Sequence, residues 1–128
     1  MKKTQLKRTG SNPLRKLKKK ADIALQDWYR LNCPYDMCLI CGYKAELRHH
    51  FILKSMSNRL RYDSINLIPL CSKCHYKAHF GSETLISAQI AFKKGRKWFD
   101  KIQRLSQEHI NLTKKYLEEI IKKYETNS

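Results

Sequence analysis

The sequence predicts an α+β fold in which a compact segment with short strands, rich in cysteine and histidine, lies between helices. Two observations carry this prediction. Apolar residues recur at helical spacing on both sides of a central segment, and that segment holds two C-x-x-C pairs and four of the chain's five histidines. A chain of 128 residues fits one domain. Because small domains bury little surface, we also expect a metal or another staple to supplement the core.

The charge predicts a polyanionic partner. With 27 Lys and Arg against 11 Asp and Glu, the formal net charge is +16, which favours nucleic acid. An acidic membrane surface is the competing interpretation, but no strongly apolar helical face or lipidation signal accompanies the charge. No run approaches the roughly 20 apolar residues that cross a bilayer, and no secretory signal begins the chain, so we expect a cytoplasmic protein without a membrane partner. Lysine-rich faces can also simply be solvated.

The N-terminal part predicts a basic flexible arm over residues 1–12, followed by an amphipathic helix over 13–32. Asn12 is the expected N-cap, and Pro13 suits the first helical position. Apolar residues repeat at helical spacing as Leu14, Leu17, Ala21, Leu25, Trp28 and Leu31. The opposite, lysine-rich face lies either along DNA or in water. Cys33 and Pro34 are expected to end the helix.

Residues 33–81 are predicted to form the core unit. Short strands are expected within residues 35–51, and residues 54–64 have the polar composition of a surface loop. The apolar stretch Ile65 to Leu70 leads into Cys71. From Cys74 through Phe80 we expect a short helix that Gly81 closes.

Residues 82–128 predict a helical extension in two or three pieces, broken around Gly95 and around residues 111–113. Its apolar residues are interpreted as core rather than as a site. They form three sets: Leu85, Ile86, Ile90 and Phe92; Trp98, Phe99, Ile102 and Leu105; Tyr116, Leu117, Ile120, Ile121 and Tyr124. The last residues, 125–128, are expected to fray.

The cysteine spacing predicts a structural zinc site. Cys38 and Cys41 form one C-x-x-C pair, and Cys71 and Cys74 form the second. Four thiolates make a closed tetrahedral site without an open position for chemistry. Buried free thiols are the alternative, which the two paired spacings disfavour. Cys33 remains as an ordinary thiol.

The histidine spacing predicts a second, open metal site. His75 and His79 lie four residues apart on the expected short helix, so both face one side. His49 and His50 precede them on the strand-forming segment. Four histidines converging on one region exceed what core packing requires.

These residues carry a resemblance to a known family. His49-His50, then Asn66-Leu67, then Cys71 to His79 resemble the signature of the HNH endonucleases, whose fold is a ββα-metal unit; the cysteine pairs match the zinc-containing subgroup. The resemblance implies a zinc-stapled HNH core flanked by an N-terminal helix and a C-terminal helical extension. It implies His50 as the general base, His49, His75 and His79 as ligands of the catalytic metal, and Asn66 as the brace of the loop that orients His50.

The flanks resemble the phage recombination nucleases of the NinG (Rap) type more narrowly. His50-Phe51, Leu60-Arg61-Tyr62-Asp63 and Trp28-Tyr29-Arg30 occur in a similar order. The HNH resemblance implies DNA hydrolysis to 5′-phosphate and 3′-hydroxyl ends, and the resemblance to the phage nucleases implies a bacterial or phage-infected cell. It also implies branched or single-strand-containing DNA as substrate. Because a junction needs two active sites to be cut symmetrically, it further implies a homodimer through the C-terminal helices.

Three questions stay open in the sequence. Nitrogen ligands suit Zn²⁺, Ni²⁺, Co²⁺ or Mn²⁺ better than Mg²⁺, but the sequence does not distinguish the one catalytic divalent metal. Arg48, Arg59 and Arg61 are candidate phosphate contacts, since guanidinium binds phosphate oxygens bidentately, and surface solvation is the alternative. A non-catalytic zinc module that binds DNA or RNA would explain the charge and the cysteines, but not the four histidines. A helical protein-interaction module is a further alternative without dedicated residues.

Overall fold

The computed structural model describes residues 13–126, so the expected arm over residues 1–12, its Asn12 cap and the end of the tail at 127–128 lie outside the described residues. Within the described part, six α-helices accompany a two-stranded antiparallel sheet, which confirms the α+β prediction. In chain order the elements are α1 (Pro13–Asn32), β1 (Leu47–His50), α2 (Asn58–Arg61), a 3-10 helix (Ser64–Asn66), β2 (Leu67–Leu70), α3 (Ser72–His79), α4 (Glu83–Lys94), α5 (Arg96–Ser106) and α6 (Lys114–Thr126).

The first and last helices, α1 and α6, pack together. The predicted helix over residues 13–32 is confirmed at both bounds. Ala21 and Leu25 of α1 are fully buried, and they lie in clusters with the buried residues of α6. The ends of the apolar stripe fall outside this contact, so Leu14 and Leu31 are exposed. The two helices together form one wall of the molecule.

The two-stranded sheet lies at the centre of the fold. β1 and β2 pair antiparallel, with His49 opposite Ile68 and His50 opposite Leu67. Ile68 and Leu70 are fully buried and belong to the same cluster as the buried cysteines, Ile86 and Ile90. The predicted strands before Phe51 reduce to β1 and a single bridge between Met37 and Lys44.

The expectation of a surface loop over residues 54–64 is wrong. The segment contains α2, whose N-cap Ser57 accepts a hydrogen bond from the backbone N–H of Leu60. Leu60 and Tyr62 are 0% and 1% exposed, so two of the largest buried side chains lie in this stretch. Charged Arg59 and Arg61 alternate with them, and this gave the segment its polar composition. The polar neighbours therefore made Leu60 and Tyr62, which are buried in the core, look like residues of a surface loop.

The C-terminal helices break where the sequence predicts. Gly95, with a φ of 100° that favours glycine, separates α4 from α5, and the second break lies between Ser106 and Lys114. The short helix before Gly81 is also confirmed, but it begins at Ser72, two residues before Cys74, and Gly81 follows its cap with a φ of 91°. The assignment of Leu85 and Phe92 to the core is wrong, because they are 60% and 88% exposed. α4 buries only Ile86 and Ile90, which lie four residues apart on one face.

Hydropathy gives no membrane segment in this part of the chain. None of the helices within residues 13–126 is both long and apolar enough to cross a bilayer. The exposed apolar residues are scattered over several elements instead.

Candidate metal centres and active site

The four cysteines converge on one point, although the two pairs are far apart in sequence. Their Sγ atoms all lie within 4.8 Å of one another. Cys38 and Cys41 belong to a turn that Gly42 closes with a φ of 81°, and Gly42 donates its N–H to the carbonyl of Cys38 at 2.9 Å. Cys71 caps α3, where its Sγ accepts from the N–H of Cys74. The turn is tied to β2 by a hydrogen bond from the N–H of Leu39 to the carbonyl of Pro69.

This cluster fits a structural zinc ion. A tetrahedral zinc with Zn–S bonds of about 2.3 Å holds its sulfurs about 3.8 Å apart. The Sγ atoms of Cys41 and Cys71 are 3.6 Å apart. Burial opposes ionisation of Cys38, but hydrogen bonds from neighbouring backbone N–H groups outweigh it and lower the pKa of Cys38 to about 6. Burial and then the neighbouring sulfurs raise the pKa of Cys74, so full ionisation of the cluster requires a cation among the thiolates.

The three histidines of the second cluster come from two elements. His49 lies on β1 and is 6% exposed, while His75 and His79 lie one turn apart on α3. One ring nitrogen from each lies within 4.8 Å of the others. The ring centroids of His75 and His79 are 5.3 and 5.2 Å from that of His49. The spacing i, i+4 on the helix and the pairing of β1 with β2 together produce this convergence.

The histidine cluster also fits a divalent cation. The Nε2 atoms of His75 and His79 are 3.0 Å apart, close to the separation of about 3 Å for adjacent nitrogen ligands with bonds of about 2.1 Å in an octahedral arrangement. Burial, followed by the charges of the neighbouring histidines, lowers the pKa of His49 to about 4. Burial and then His79 also lower the pKa of His75. Neutral imidazoles with free lone pairs are the form that binds a metal.

His50 is held separately from the cluster. Its ring nitrogens are not part of the three-histidine cluster, although His50 lines the same pocket as His49, His75 and His79. Its Nε2 lies 3.1 Å from the carbonyl oxygen of Arg61. Because a carbonyl only accepts, Nε2 carries the proton in this contact, and Nδ1 of the neutral ring keeps its lone pair. Burial lowers the pKa of His50, while the hydrogen bond to Arg61 opposes that shift.

Asn66 links β2 to the segment after β1. Its side chain is fully buried, its Oδ1 accepts from the N–H of Ile52 at 2.8 Å, and its Nδ2 donates to the carbonyl of Ile52 at 2.9 Å. Nδ2 also lies 3.4 Å from the carbonyl of Leu60. The backbone of Asn66 accepts from the N–H of Phe51, the residue after His50. Asn66 therefore fixes both the chain that leaves His50 and the helix α2.

The three candidate arginines are bound within the protein. Arg48 is 7% exposed in its side chain, lies over the ring of Tyr29 and donates to the carbonyl of Cys33 at 2.9 Å. Arg59 pairs with Asp63 at 2.7 Å and with Glu108 at 3.2 Å.

The third, Arg61, pairs with Asp22 at 3.0 Å. Of the three, Arg48 alone lines the same pocket as the histidines. A phosphate would have to displace an existing partner of each guanidinium, so their role as phosphate contacts stays a prediction.

Three further residues line the histidine pocket that the sequence did not single out: Gln26 of α1, and Leu53 and Lys54 after β1. Gln26 donates to the carbonyl of Arg48, and Lys54 is a half-exposed cation 3.7 Å from Asp22. Asp22 was missed as well. Its signal was an isolated carboxylate that follows a run of bases in the first helix.

A comparison with protein families identifies the segment that carries both clusters. Residues 38–81 match the model of the HNH endonuclease family, a span that contains both cysteine pairs, the histidine cluster, His50 and Asn66. The predicted HNH core, with the cysteine cluster at its base and helices on either side, is therefore confirmed. No curated protein and no solved structure matches the chain.

Proposed function

We propose that this protein is a metal-dependent HNH endonuclease that hydrolyses DNA phosphodiester bonds with His50 as general base. The observation that carries the proposal is the pair of histidine environments on one short strand. His49 forms a three-nitrogen cluster with His75 and His79, while His50 lines the same pocket and donates its Nε2–H to the carbonyl of Arg61. A metal site beside an oriented base is the arrangement that hydrolysis requires.

The chemistry assigned to His50 follows from its tautomer. Nδ1 carries the lone pair, so Nδ1 takes the proton from the attacking water. Burial lowers the pKa of His50, which keeps the ring neutral and able to accept a proton at neutral pH. A divalent metal held by His49, His75 and His79 would supply Lewis-acid stabilisation to the phosphate and the leaving 3′-oxygen. The expected products carry 5′-phosphate and 3′-hydroxyl ends.

The proposed role of Asn66 is to hold the loop that follows the base. Its two hydrogen bonds to Ile52 and its backbone contact with Phe51 support that role, because they fix the two residues directly after His50. Asn66 is buried and cannot contact substrate, so it would act through the loop.

Contacts to the DNA backbone are proposed from charge and exposure. The net charge of +16 favours binding to phosphates with little base specificity. Two cations, Lys54 and Arg48, line the histidine pocket. The side chain of Lys54 is 48% exposed, which makes Lys54 the more accessible phosphate contact. Arg48, Arg59 and Arg61 would contribute only by exchanging an internal partner for a phosphate.

We further propose a preference for branched or single-strand-containing DNA, as in phage-type recombination of the NinG type. Two exposed aromatic rings support it, one near the end of α3 and one at its C-cap. Tyr76 and Phe80 are 65% and 64% exposed, their ring centroids lie 4.8 Å apart, and Phe80 lies 6.4 Å from the ring of His79. Exposed aromatic faces beside a cleavage site bind unpaired bases by stacking.

The proposed homodimer would use α4 rather than the final helix. The apolar face of α6 is occupied by α1, whereas Leu85 and Phe92 of α4 remain exposed. A dimer that buries them would present two active sites to a junction.

Cleavage assays on matched four-way junction, flap, single-strand and duplex substrates test these proposals. We expect metal-dependent cutting with faster cleavage of substrates that contain unpaired bases, and a reduced preference in Tyr76→Ala. Tyr35→Ala is the control, because Tyr35 is 91% exposed and lies outside both the histidine pocket and α4. Equal cutting of all substrates by a monomer would contradict the recombination role. Binding without cleavage under every divalent metal would favour the non-catalytic zinc module instead.

A further inference from the structure

The carboxylate of Asp22 reaches the catalytic segment from outside the span that matches the nuclease family. We infer that Asp22 of α1 is a positioning residue for His50, acting through Arg61, whose main-chain carbonyl holds the ring of the base. The inference rests on the proposed nuclease function. It assigns the flanking helix a part in the active site, since residues 38–81 do not include α1.

The link between Asp22 and Arg61 is bidentate. Nη2 of Arg61 lies 3.0 Å from one carboxylate oxygen of Asp22, and Nε lies 3.4 Å from the other. Both side chains are about one-fifth exposed, at 20% and 19%. Two parallel contacts from a planar guanidinium fix its orientation more closely than one contact does. The pair therefore restrains Arg61 in direction as well as in position.

The ion pair with Asp22 restrains the residue whose main-chain carbonyl contacts His50. That carbonyl accepts from Nε2 of His50 at 3.1 Å. The next carbonyl, that of Tyr62, accepts from the hydroxyl of Tyr124 on α6 at 2.7 Å, and the ring of Tyr62 is buried with Ala21 of α1. α1 thus holds the side chain of Arg61, and α6 holds the carbonyl of the next residue, Tyr62. Of the two carbonyls, that of Arg61 contacts the base.

The charges around Asp22 explain why loss of its carboxylate would displace the group that holds His50. Lys54 lies 3.7 Å from the same carboxylate oxygen that Arg61 contacts. Without the carboxylate, two cations would face each other at the end of α2 and beside the histidine pocket, and Arg61 would turn away. A base displaced by about 1 Å loses roughly a hundredfold in rate. Partly exposed ion pairs contribute little to stability, so the effect on folding would be small.

Asp22→Asn tests the inference, with Asp27→Asn as the matched control. Asp27 lies five residues further along α1 and pairs with Arg30 at 3.0 Å, and both side chains are exposed. At saturating DNA, we expect Asp22→Asn to lower the single-turnover cleavage rate by about 10- to 100-fold. DNA affinity, zinc content and thermal midpoint should stay near those of the wild type. Asp22→Glu should recover part of the rate, and Asp27→Asn should match the wild type.

A second measurement does not depend on cleavage. Nitrogen-proton NMR spectra of the imidazoles should show His50 as the Nε2–H tautomer in the wild type and in Asp27→Asn. In Asp22→Asn the His50 signals should shift towards a mixture of tautomers. If the wild type cut no DNA, the nuclease proposal would fail, and the NMR result would still decide whether Asp22 holds His50.

Two results would overturn the inference. One is a folded Asp22→Asn protein with wild-type cleavage and an unchanged His50 spectrum. The other is tighter DNA binding without loss of rate, which would assign Arg61 to phosphate. If Asp22→Asn does not fold, Arg61→Lys carries the same test, because it keeps the charge and loses the bidentate contact. A lower rate with an altered His50 spectrum would support the inference, and wild-type behaviour in both would refute it.

Discussion

Replacing Asn66 with alanine removes the side chain that ties β2 to the chain after His50. The variant loses two good hydrogen bonds, at 2.8 and 2.9 Å, and a weaker contact at 3.4 Å. Each ordinary hydrogen bond contributes about 1 kcal/mol, and a buried group left without a partner costs about 1–3 kcal/mol. Because Ile52 is only half-buried, water can recover part of this loss. We therefore expect a free energy of unfolding lower by about 2–3 kcal/mol.

Urea denaturation of the zinc-loaded protein measures this change, and a thermal scan should show a midpoint lower by roughly 10 °C. Cleavage at saturating DNA should fall as well, since the loop after the base loses its brace. Asn32→Ala is the control, because Asn32 is exposed and its side chain donates to the carbonyl of Trp28 in the same helix; such a change should stay within about 0.5 kcal/mol. An Asn66→Ala protein as stable and as active as the Asn32→Ala control would refute the assigned role.

Three further results are expected. Cys71→Ser should lose zinc and thermal stability together, as metal analysis and a thermal scan would show, and full zinc content with wild-type stability would contradict the structural site. Burial raises the pKa of both Tyr62 and Tyr124 from 10.0 to about 12, so their ionisation favours the unfolded chain and stability should fall as the pH rises from about 10 through 12. Tyrosinate absorbance should then rise in two stages, the second together with loss of helical circular dichroism; a single stage in the folded protein would contradict this. The logarithm of the DNA association constant should fall linearly with the logarithm of salt concentration, and a flat dependence would exclude backbone binding.

The helices were predictable because their signals are local. The apolar spacing after Pro13, the break at Gly95 and the turn at Gly81 each act within a few residues, and the structure follows them. The inward anchors Leu60 and Tyr62 were not predictable from composition. Their burial depends on α5 and α6, which lie far along the chain. Exposed Leu85 shows the converse, since an apolar residue stays in solvent when no element packs over it.

The candidate site divides in the same way. The spacing of the C-x-x-C pairs and of the i, i+4 histidines predicts metal ligands without further information. The resemblance to the HNH signature predicts that these segments, distant in sequence, lie together. The ion-pair partners of the arginines and of Asp22, in contrast, depend on how the helices pack. Arg61 and Asp22 are 39 residues apart, and no local pattern selects one carboxylate for one guanidinium across that distance. The sequence therefore predicted the two candidate metal clusters, but not the side chains that hold them in place.

Single-turnover cleavage of DNA by His50→Ala, measured beside His109→Ala, tests the central claim most directly. His109 is exposed and is the histidine outside the metal cluster and the base position. We predict that His50→Ala cleaves about 10²- to 10⁴-fold more slowly. DNA affinity, zinc content and thermal stability should be retained, and His109→Ala should match the wild type. A His50→Ala protein that cleaves at the wild-type rate would contradict the assignment of the base, and an inactive His49→Ala protein beside it would show that the two roles are exchanged.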